Sequence, residues 1–351
     1  MPSRRARTRG NPAQPQLFEQ SIPPPFGVID LDPALVTDIG PPPRIKCFVQ
    51  GCTRMLRPPT RTYRGEVCPD HQIRCHQSGT YSYPDVRRNT VVARELLATR
   101  IVGHEAKFES HRLGSEKAED TLSFTVFRSF QEVKMLNYLA RFITGRAEEE
   151  EPHLFLWGIE MNDSLNTWNL LTAARDRFEK KLPVKRPLTE PDIALYLPAK
   201  YVLLIEAKFT SPNTAYLEGP RKDTQSLTKD ELLSIYSDKS LAMLDRQIAN
   251  TAERVYYQLW RNVTFSEWMA RTAADGSTPY FSNLTRRGYE NDSFDEFRLM
   301  VRPEFAGRVS HVYWEDLFTL AGLAGGRLTD LQQYLLNKSA NLVPAFDFAI
   351  F

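Results

Sequence analysis

The sequence predicts an α/β fold: a mixed central β-sheet flanked by helices, preceded by a small cysteine-rich module. Three observations carry that expectation. From Tyr81 onward, stretches with helical periodicity alternate with short apolar runs. Two of those runs, IALYL and YVLLI, are separated only by Pro198-Ala199-Lys200, as in a hairpin. All four cysteines of the 351 residues lie between Cys47 and Cys75, so the front of the chain is held together differently from the rest.

Apolar residues make up 42% of the chain and charged residues 25%, ordinary values for a globular protein. No apolar run approaches the roughly 20 residues that span a bilayer. The start, MPSRRARTRGNPAQPQ, has no apolar stretch behind its arginines and does not read as a secretory signal. A cytoplasmic protein without a membrane partner is therefore expected. The formal net charge of +2 hides an uneven distribution: residues 1–74 carry eleven Lys/Arg against six Asp/Glu. A basic front suits a polyanion such as nucleic acid, the plainer alternative being a solvated tail.

Residues 1–40 are rich in Pro, Arg and Gln without periodicity, which predicts a disordered arm. Residues 41–80 form the cysteine module, whose loops look too short for an apolar core. Residues 81–325 form the α/β domain, and 326–351 a C-terminal helix and tail. Within the domain, 115–142 reads as one helix, capped by Ser115, with Glu119, Leu122, Val126, Phe130 and Val133 on one face. Residues 154–161 read as a buried strand and 165–180 as a helix with Ser164 as its cap. The run YVLLI is apolar throughout, as in a central strand covered on both faces. Residues 241–260 read as an amphipathic helix, 297–301 and 309–314 as closing strands, and 315–322 and 328–336 as short helices.

The hairpin carries the chemistry. Asp192 opens its first strand, and after thirteen intervening residues Glu206 ends the second, followed by Ala207 and Lys208. Residues i and i+2 of a strand share a face, so Glu206 and Lys208 project together. Pairing of the two strands brings Asp192 beside Glu206. Two carboxylates and an ammonium at one point suit phosphodiester hydrolysis. Hard carboxylate oxygens hold Mg²⁺, which acidifies water and neutralises charge on phosphate. The lysine orients or deprotonates the attacking water or stabilises charge on the phosphate, and a dication beside it is expected to lower its pKa, which suits a base.

The segment EPDIALYLPAKYVLLIEAKF resembles the core of the PD-(D/E)xK nuclease superfamily, which includes restriction endonucleases and several repair nucleases. It keeps the Pro-Asp, the apolar strands and Glu-x-Lys in order. The resemblance extends over about residues 115–320, with VSHVYWEDL similar to a late strand-to-helix element of such nucleases. It implies a restriction-endonuclease-like core, Asp192 and Glu206 as ligands of Mg²⁺ (or Mn²⁺), and Lys208 as the catalytic lysine. It further implies an acid from the helix before the hairpin, for which Glu119 is the candidate and Asp120 the fallback. A polar residue from the helix after it is also implied, and Gln247 fits that place. The function implied is a Mg²⁺-dependent endonuclease acting on DNA, in the first instance double-stranded. The setting implied is bacterial and nucleoid-associated, with a defence or restriction role, and a homodimer is allowed. A nucleic-acid-binding protein that keeps the nuclease fold without activity, and an RNA-directed nuclease, are the alternatives.

In the front module, four residues separate Cys47 from Cys52, fifteen separate Cys52 from Cys68, and two separate Cys68 from His71. Three thiolates and an imidazole make a closed tetrahedral set for structural Zn²⁺. Cys75 and His76 are alternates for the fourth ligand. The pattern resembles a treble-clef or zinc-ribbon finger. Arg44, Lys46, Arg54, Arg57, Arg61, Arg64 and Tyr63 surround these ligands, fit either to contact phosphates and bases or simply to brace the domain.

Overall fold

The computed structural model of the chain describes residues 22–38, 40–101, 113–180, 182, 190–213, 215–217, 228–273 and 275–348. Residues 1–21 and 39 of the expected disordered arm lie outside them, whereas 22–38 are ordered against that expectation, with a helical turn at Val28–Asp30, a buried Leu31 and the Phe26 amide bonded to the Tyr83 hydroxyl. The front module contains a three-stranded antiparallel sheet of β1 (Thr37–Asp38), β2 (Arg44–Lys46) and β3 (Met55–Leu56), and a hairpin of β4 (Arg74–His76) and β5 (Thr80–Ser82). Contrary to the expectation from its short loops, the module has an apolar cluster. Ile45, Phe48, Leu56 and Ile73 are buried together with Leu31, Tyr81, Tyr83 and Leu342. The module recruits those last four side chains from beyond its own short loops, so the metal set is not alone in holding it.

The main domain is built on a six-stranded mixed sheet, β13-β12-β9-β8-β6-β7 in spatial order. It begins with two helices, α1 (Glu119–Glu132) and α2 (Leu136–Thr144), where one was expected. Lys134 adopts a left-handed conformation with φ 55°. The amide of Met135 then donates to the Phe130 carbonyl and that of Lys134 to Gln131. This is the paired bonding of a Schellman stop, which the apolar periodicity conceals. Likewise, 154–161 is two strands, β6 (His153–Leu156) and β7 (Ile159–Glu160), turned at Trp157 and Gly158, both at positive φ. Helix α3 (Asn169–Phe178) starts after Trp168, not at Ser164, because Thr167 is still bridged to Ile159.

Strands β8 (Ile193–Leu197) and β9 (Tyr201–Ala207) form the predicted antiparallel hairpin, with Ile193 opposite Ile205. Every residue of β9 is buried. Leu203, Ile205 and Ala207 enter the core under α1, whereas Val202 and Leu204 enter the core on the other face. This is the two-sided covering expected of an unbroken apolar strand.

After a small strand β10 (Ala215–Leu217) come α4 (Lys229–Ile235), α5 (Arg246–Thr251), β11 (Arg254–Tyr256) and α6 (Tyr257–Thr272). The single helix expected over 241–260 is thus a short helix, a strand and the start of a long helix. The Asp245 side chain caps α5, and β11 pairs with β10. Strand β12 (Thr278–Thr285) has no counterpart in the sequence reading, because Ser282, Asn283 and Thr285 interrupt its apolar pattern while lying buried. It runs parallel to β9 and to β13 (Val309–Tyr313). The strand expected at 297–301 is instead the end of α7 (Asn291–Arg298) and the turn after it. Helices α8 (Trp314–Gly322) and α9 (Thr329–Asn337) follow close to their predicted positions.

On β13, the His311 Nε2 lies 2.7 Å from the Thr285 hydroxyl, and the ring packs against Phe294 and Tyr313. Burial lowers its pKa to about 4. The unfolded chain takes up this proton near its ordinary pKa of about 6.5, and the folded chain only near 4. Stability is therefore lost as pH falls through that window. The protein is expected to lose about 1–2 kcal/mol more than His311→Asn between pH 7 and pH 5. Urea unfolding of both proteins at the two pH values checks this, and equal losses would contradict it.

Candidate functional site

The β8–β9 hairpin and the start of α1 place four ionisable side chains together. Asp192 immediately precedes β8, and its Oδ2 accepts from the Ala207 amide at 2.9 Å, which fixes it across from Glu206. Glu206 is the penultimate residue of β9 and 2% exposed. Its Oε1 accepts from Lys208 Nζ at 2.7 Å and its Oε2 from Asn262 Nδ2 at 2.6 Å. Lys208 is held by its own backbone: its amide donates to the Leu284 carbonyl of β12, and its carbonyl accepts from the Trp314 indole at 3.2 Å. Glu119, the first residue of α1, accepts the Phe209 amide at 2.6 Å and lies 3.9 Å from Lys208 Nζ.

Three carboxylates thus gather around one ammonium with little water. Burial raises the Asp192 carboxyl well above the usual carboxylate range, and the negative charge of Glu206 adds to this. Burial pushes Glu119 up to about 7 against the pull of Lys208 and of the Phe209 amide. For Lys208, burial acts downward, but the carboxylates of Glu206, Asp192 and Glu119 outweigh it and hold the ammonium above its ordinary range. A lowered pKa for Lys208 is expected only with a dication beside it. The charges that face Lys208 here are carboxylates, and their effect has the opposite sign.

Gln247 does not join this cluster. It is exposed on α5, where its amide serves the Asp245 cap. The helix that follows the hairpin and packs on it is α6, and its fully buried Asn262 makes the contact that was looked for from Gln247. The sequence signal for Asn262 is slight, one of two amides in Tyr-Gln-Leu-Trp-Arg-Asn-Val-Thr-Phe. It lies beyond the end of the helix expected over 241–260, whereas the observed helix runs from Tyr257 to Thr272. Asn283 of β12 stands beside Glu206 in the parallel register. Among the described residues, Asn262 Oδ1 and Asn283 Nδ2 are buried without a hydrogen-bond partner. Asp120 lies next to Glu119 and adds to the negative charge felt by Asp192.

In the front module, the ligand atoms of Cys47, Cys52, Cys68 and His71 all lie within 4.8 Å of one another. His71 Nδ1 is 3.7 Å from Cys47 Sγ and 3.5 Å from Cys68 Sγ, and Cys52 Sγ is 4.0 Å from Cys68 Sγ. Tetrahedral zinc with Zn–S of about 2.3 Å and Zn–N of about 2.0 Å has edges of about 3.5–3.8 Å, so the set fits that ion. Two turns present the ligands. The Cys52 amide returns to the Val49 carbonyl, and the Gln72 amide to that of Cys68. Of the alternates, Cys75 adjoins the set, its Sγ lying against that of Cys47 and 3.8 Å from the Lys46 carbonyl, whereas His76 Nε2 lies 3.1 Å from the Ser82 hydroxyl. Arg88, 7% exposed, joins the module to the domain. It donates to the His71 carbonyl at 2.6 Å and lies over the rings of Phe26 and Tyr83.

Fold and site together define a mixed α/β protein with a buried acid–lysine cluster on its central hairpin and a Cys₃His set that could hold a metal ion. Residues 174–338 match the family described as Restriction Endonuclease associating with ARP. This match supports a restriction-endonuclease-like family and points to a nuclease. It takes in the hairpin, Asn262 and β12, and leaves Glu119 and the Cys₃His set outside. No curated protein and no solved structure matches the chain. No helix among the described residues is long and apolar enough to cross a membrane.

Proposed function

We propose that the chain is a nuclease of the PD-(D/E)xK type, hydrolysing phosphodiester bonds in double-stranded DNA with Mg²⁺ (or Mn²⁺). The observation that carries this reading is the convergence of Asp192, Glu206 and Glu119 on Lys208 at the end of the hairpin. The restriction-endonuclease-like match over the same hairpin supports it. Three carboxyl groups face one ammonium, and the buried Asn262 Oδ1 adds a further oxygen without a donor. Hard oxygens in this number fit a small dication. Asp192, Glu206 and Glu119 would hold it. Once bound, the ion supplies the positive charge that activates water and offsets charge developing on the phosphate.

The chain's own residues do the rest. Lys208 Nζ donates hydrogen bonds, so it can position a phosphate oxygen and stabilise its charge in a largely buried site. Asn262 and the Ala207 amide lock Glu206 and Asp192 in place, which spares the cost of ordering them during reaction. The Cys₃His set holds structural Zn²⁺ with no open position.

Supercoiled plasmid and a labelled RNA, each incubated with the purified protein, test the reading. The strong chelators that would strip the Cys₃His set are left out, and divalent ions are simply added or omitted. Plasmid cutting with Mg²⁺ or Mn²⁺ and intact RNA are expected. Cutting of RNA alone would transfer the substrate to RNA, and binding of DNA without cutting of either would leave a binding protein. Asn262→Ala is expected to lower Mg²⁺-supported cutting about 10–100-fold, by loosening Glu206. A Mg²⁺ titration of the cutting rate checks this, and an unchanged curve would contradict it.

A further inference from the structure

The loop between β3 and Cys68 is not a slack connection. The Glu66 amide donates to the Arg57 carbonyl at 2.8 Å, and the Arg57 amide returns to the Glu66 carboxylate at 3.0 Å. Inside that pair, the Thr60 amide donates to the Tyr63 carbonyl at 2.8 Å and the Tyr63 amide to the Thr60 hydroxyl at 3.2 Å. Gly65 sits at φ +90°, where an added Cβ would stand 3.0 Å from the Pro59 nitrogen, so the two arms of the loop touch. Its ends are rooted in β3 and in a buried member of the Cys₃His set.

This closed loop presents Arg57, Arg61 and Arg64 to solvent. Among the described residues none of the three guanidinium groups is in an ion pair. Arg54, by contrast, is bonded to Asp70 at 2.8 Å. Arg57 lies over the Tyr63 ring, 4.8 Å from its centroid, which fixes its stem while leaving its charge free. The one acid in the loop, Glu66, is engaged by the Arg57 amide and lies 4.0 Å from Arg44. Three unpaired cations on a rigid frame lose little entropy on meeting a polyanion, unlike the same charges on a disordered tail.

The module is also tied to the acid–lysine cluster. Leu342 is buried in the module's cluster, and four residues on, Phe346 packs against Phe209, ring centroids 5.7 Å apart. Four residues span at most about 14 Å. Phe209 in turn supplies the amide that holds Glu119. The module is therefore anchored beside the hairpin.

We propose that the loop of residues 57–66 grips the phosphate backbone of duplex DNA next to the point of cutting, through Arg57, Arg61 and Arg64. The choice of DNA rests on the nuclease reading above. Fluorescence anisotropy with a labelled 30-base-pair duplex, across a salt series and with no divalent ion added, tests the contact without cleavage. The triple variant Arg57→Ala/Arg61→Ala/Arg64→Ala is expected to bind at least about 10-fold more weakly near 0.15 M salt. Its plot of log affinity against log salt is expected to be shallower by about 2–3, the loss of some three phosphate contacts. The corresponding triple Lys variant keeps the slope, and Arg141→Ala/Lys239→Ala/Arg298→Ala, which removes the same charge elsewhere on the surface, binds as wild type does. Unchanged zinc content and circular dichroism establish that the variants fold. A loop variant that binds like wild type, or a distant control that loses as much, overturns the proposal. Wild-type protein that binds with this salt dependence but never cuts DNA contradicts the nuclease reading and leaves the loop assignment standing.

Discussion

Asp192→Asn is expected to lower Mg²⁺-supported DNA cleavage by roughly 10³-fold or more, while raising the thermal stability of the protein in buffer without added divalent ion. The two effects have one cause. Asp192 sits at a buried place beside Glu206, and both burial and that neighbour drive its carboxyl pKa well above the usual range. A raised carboxyl pKa means that the charged form costs stability at pH values above it, a cost relieved as pH falls through the folded-state value. Asparagine removes the charge and keeps the shape, and its side-chain oxygen can still accept the Ala207 amide. The variant loses the negative charge that a dication needs and sheds the repulsion that the folded chain otherwise bears. Differential scanning fluorimetry with and without Mg²⁺, run beside the cleavage assay, reads both effects. A variant that is less stable than wild type without Mg²⁺, or that still cuts, contradicts this account of the site.

Cys68→Ala is expected to abolish stoichiometric zinc binding and to unfold the front module, with the mixed sheet persisting. Cys68 is fully buried and its sulfur lies near both His71 Nδ1 and Cys52 Sγ, so its loss opens the set at its centre. A structural zinc contributes apparent binding free energy of about 10 kcal/mol or more to small domains. The module's apolar cluster, a handful of side chains partly supplied by Leu31 and Leu342, is too small to replace it. The consequences spread through Arg88, whose bond to the His71 carbonyl and position over Phe26 depend on the folded module. Zinc content and limited proteolysis of wild type, Cys68→Ala, His71→Ala and Cys75→Ala measure this. The first two variants lose zinc and become sensitive to cleavage near the front of the chain, whereas Cys75→Ala keeps its metal. Retained zinc in Cys68→Ala, or loss in Cys75→Ala alone, contradicts the ligand set.

The parts of this protein that sequence reveals are those where one residue type must stand at one spacing. The β8–β9 hairpin is legible because a two-sided apolar strand cannot hide its run of YVLLI, and the i, i+2 rule then fixes Glu206 with Lys208. Glu119 is legible because it lies on the inward face of an amphipathic helix. The Cys₃His set is legible because zinc tolerates few spacings.

What escaped was set by tertiary context. Strand β12 carries Ser282, Asn283 and Thr285 in its buried part, so its pattern is neither alternating nor apolar. The stop after α1 depends on Lys134 in a left-handed conformation, which side-chain periodicity does not report. The merging of α5, β11 and α6 into one helix had the largest consequence, because it aimed attention at Gln247. An apolar periodicity of three and four continues across the Asp245 cap and the β10–β11 pairing, and only those partners break it.

The central claim is that Asp192, Glu206, Glu119 and Lys208 form a cation-dependent phosphodiester-cutting site. The most direct measurement of it is plasmid cleavage with Mg²⁺ by wild type, Lys208→Ala and Asp192→Ala, at matched zinc content and matched DNA binding. Cutting by wild type, and a loss of about 10²–10⁴-fold in each variant with binding retained, is the predicted result. Undiminished cutting by both variants would place the chemistry elsewhere and contradict the account.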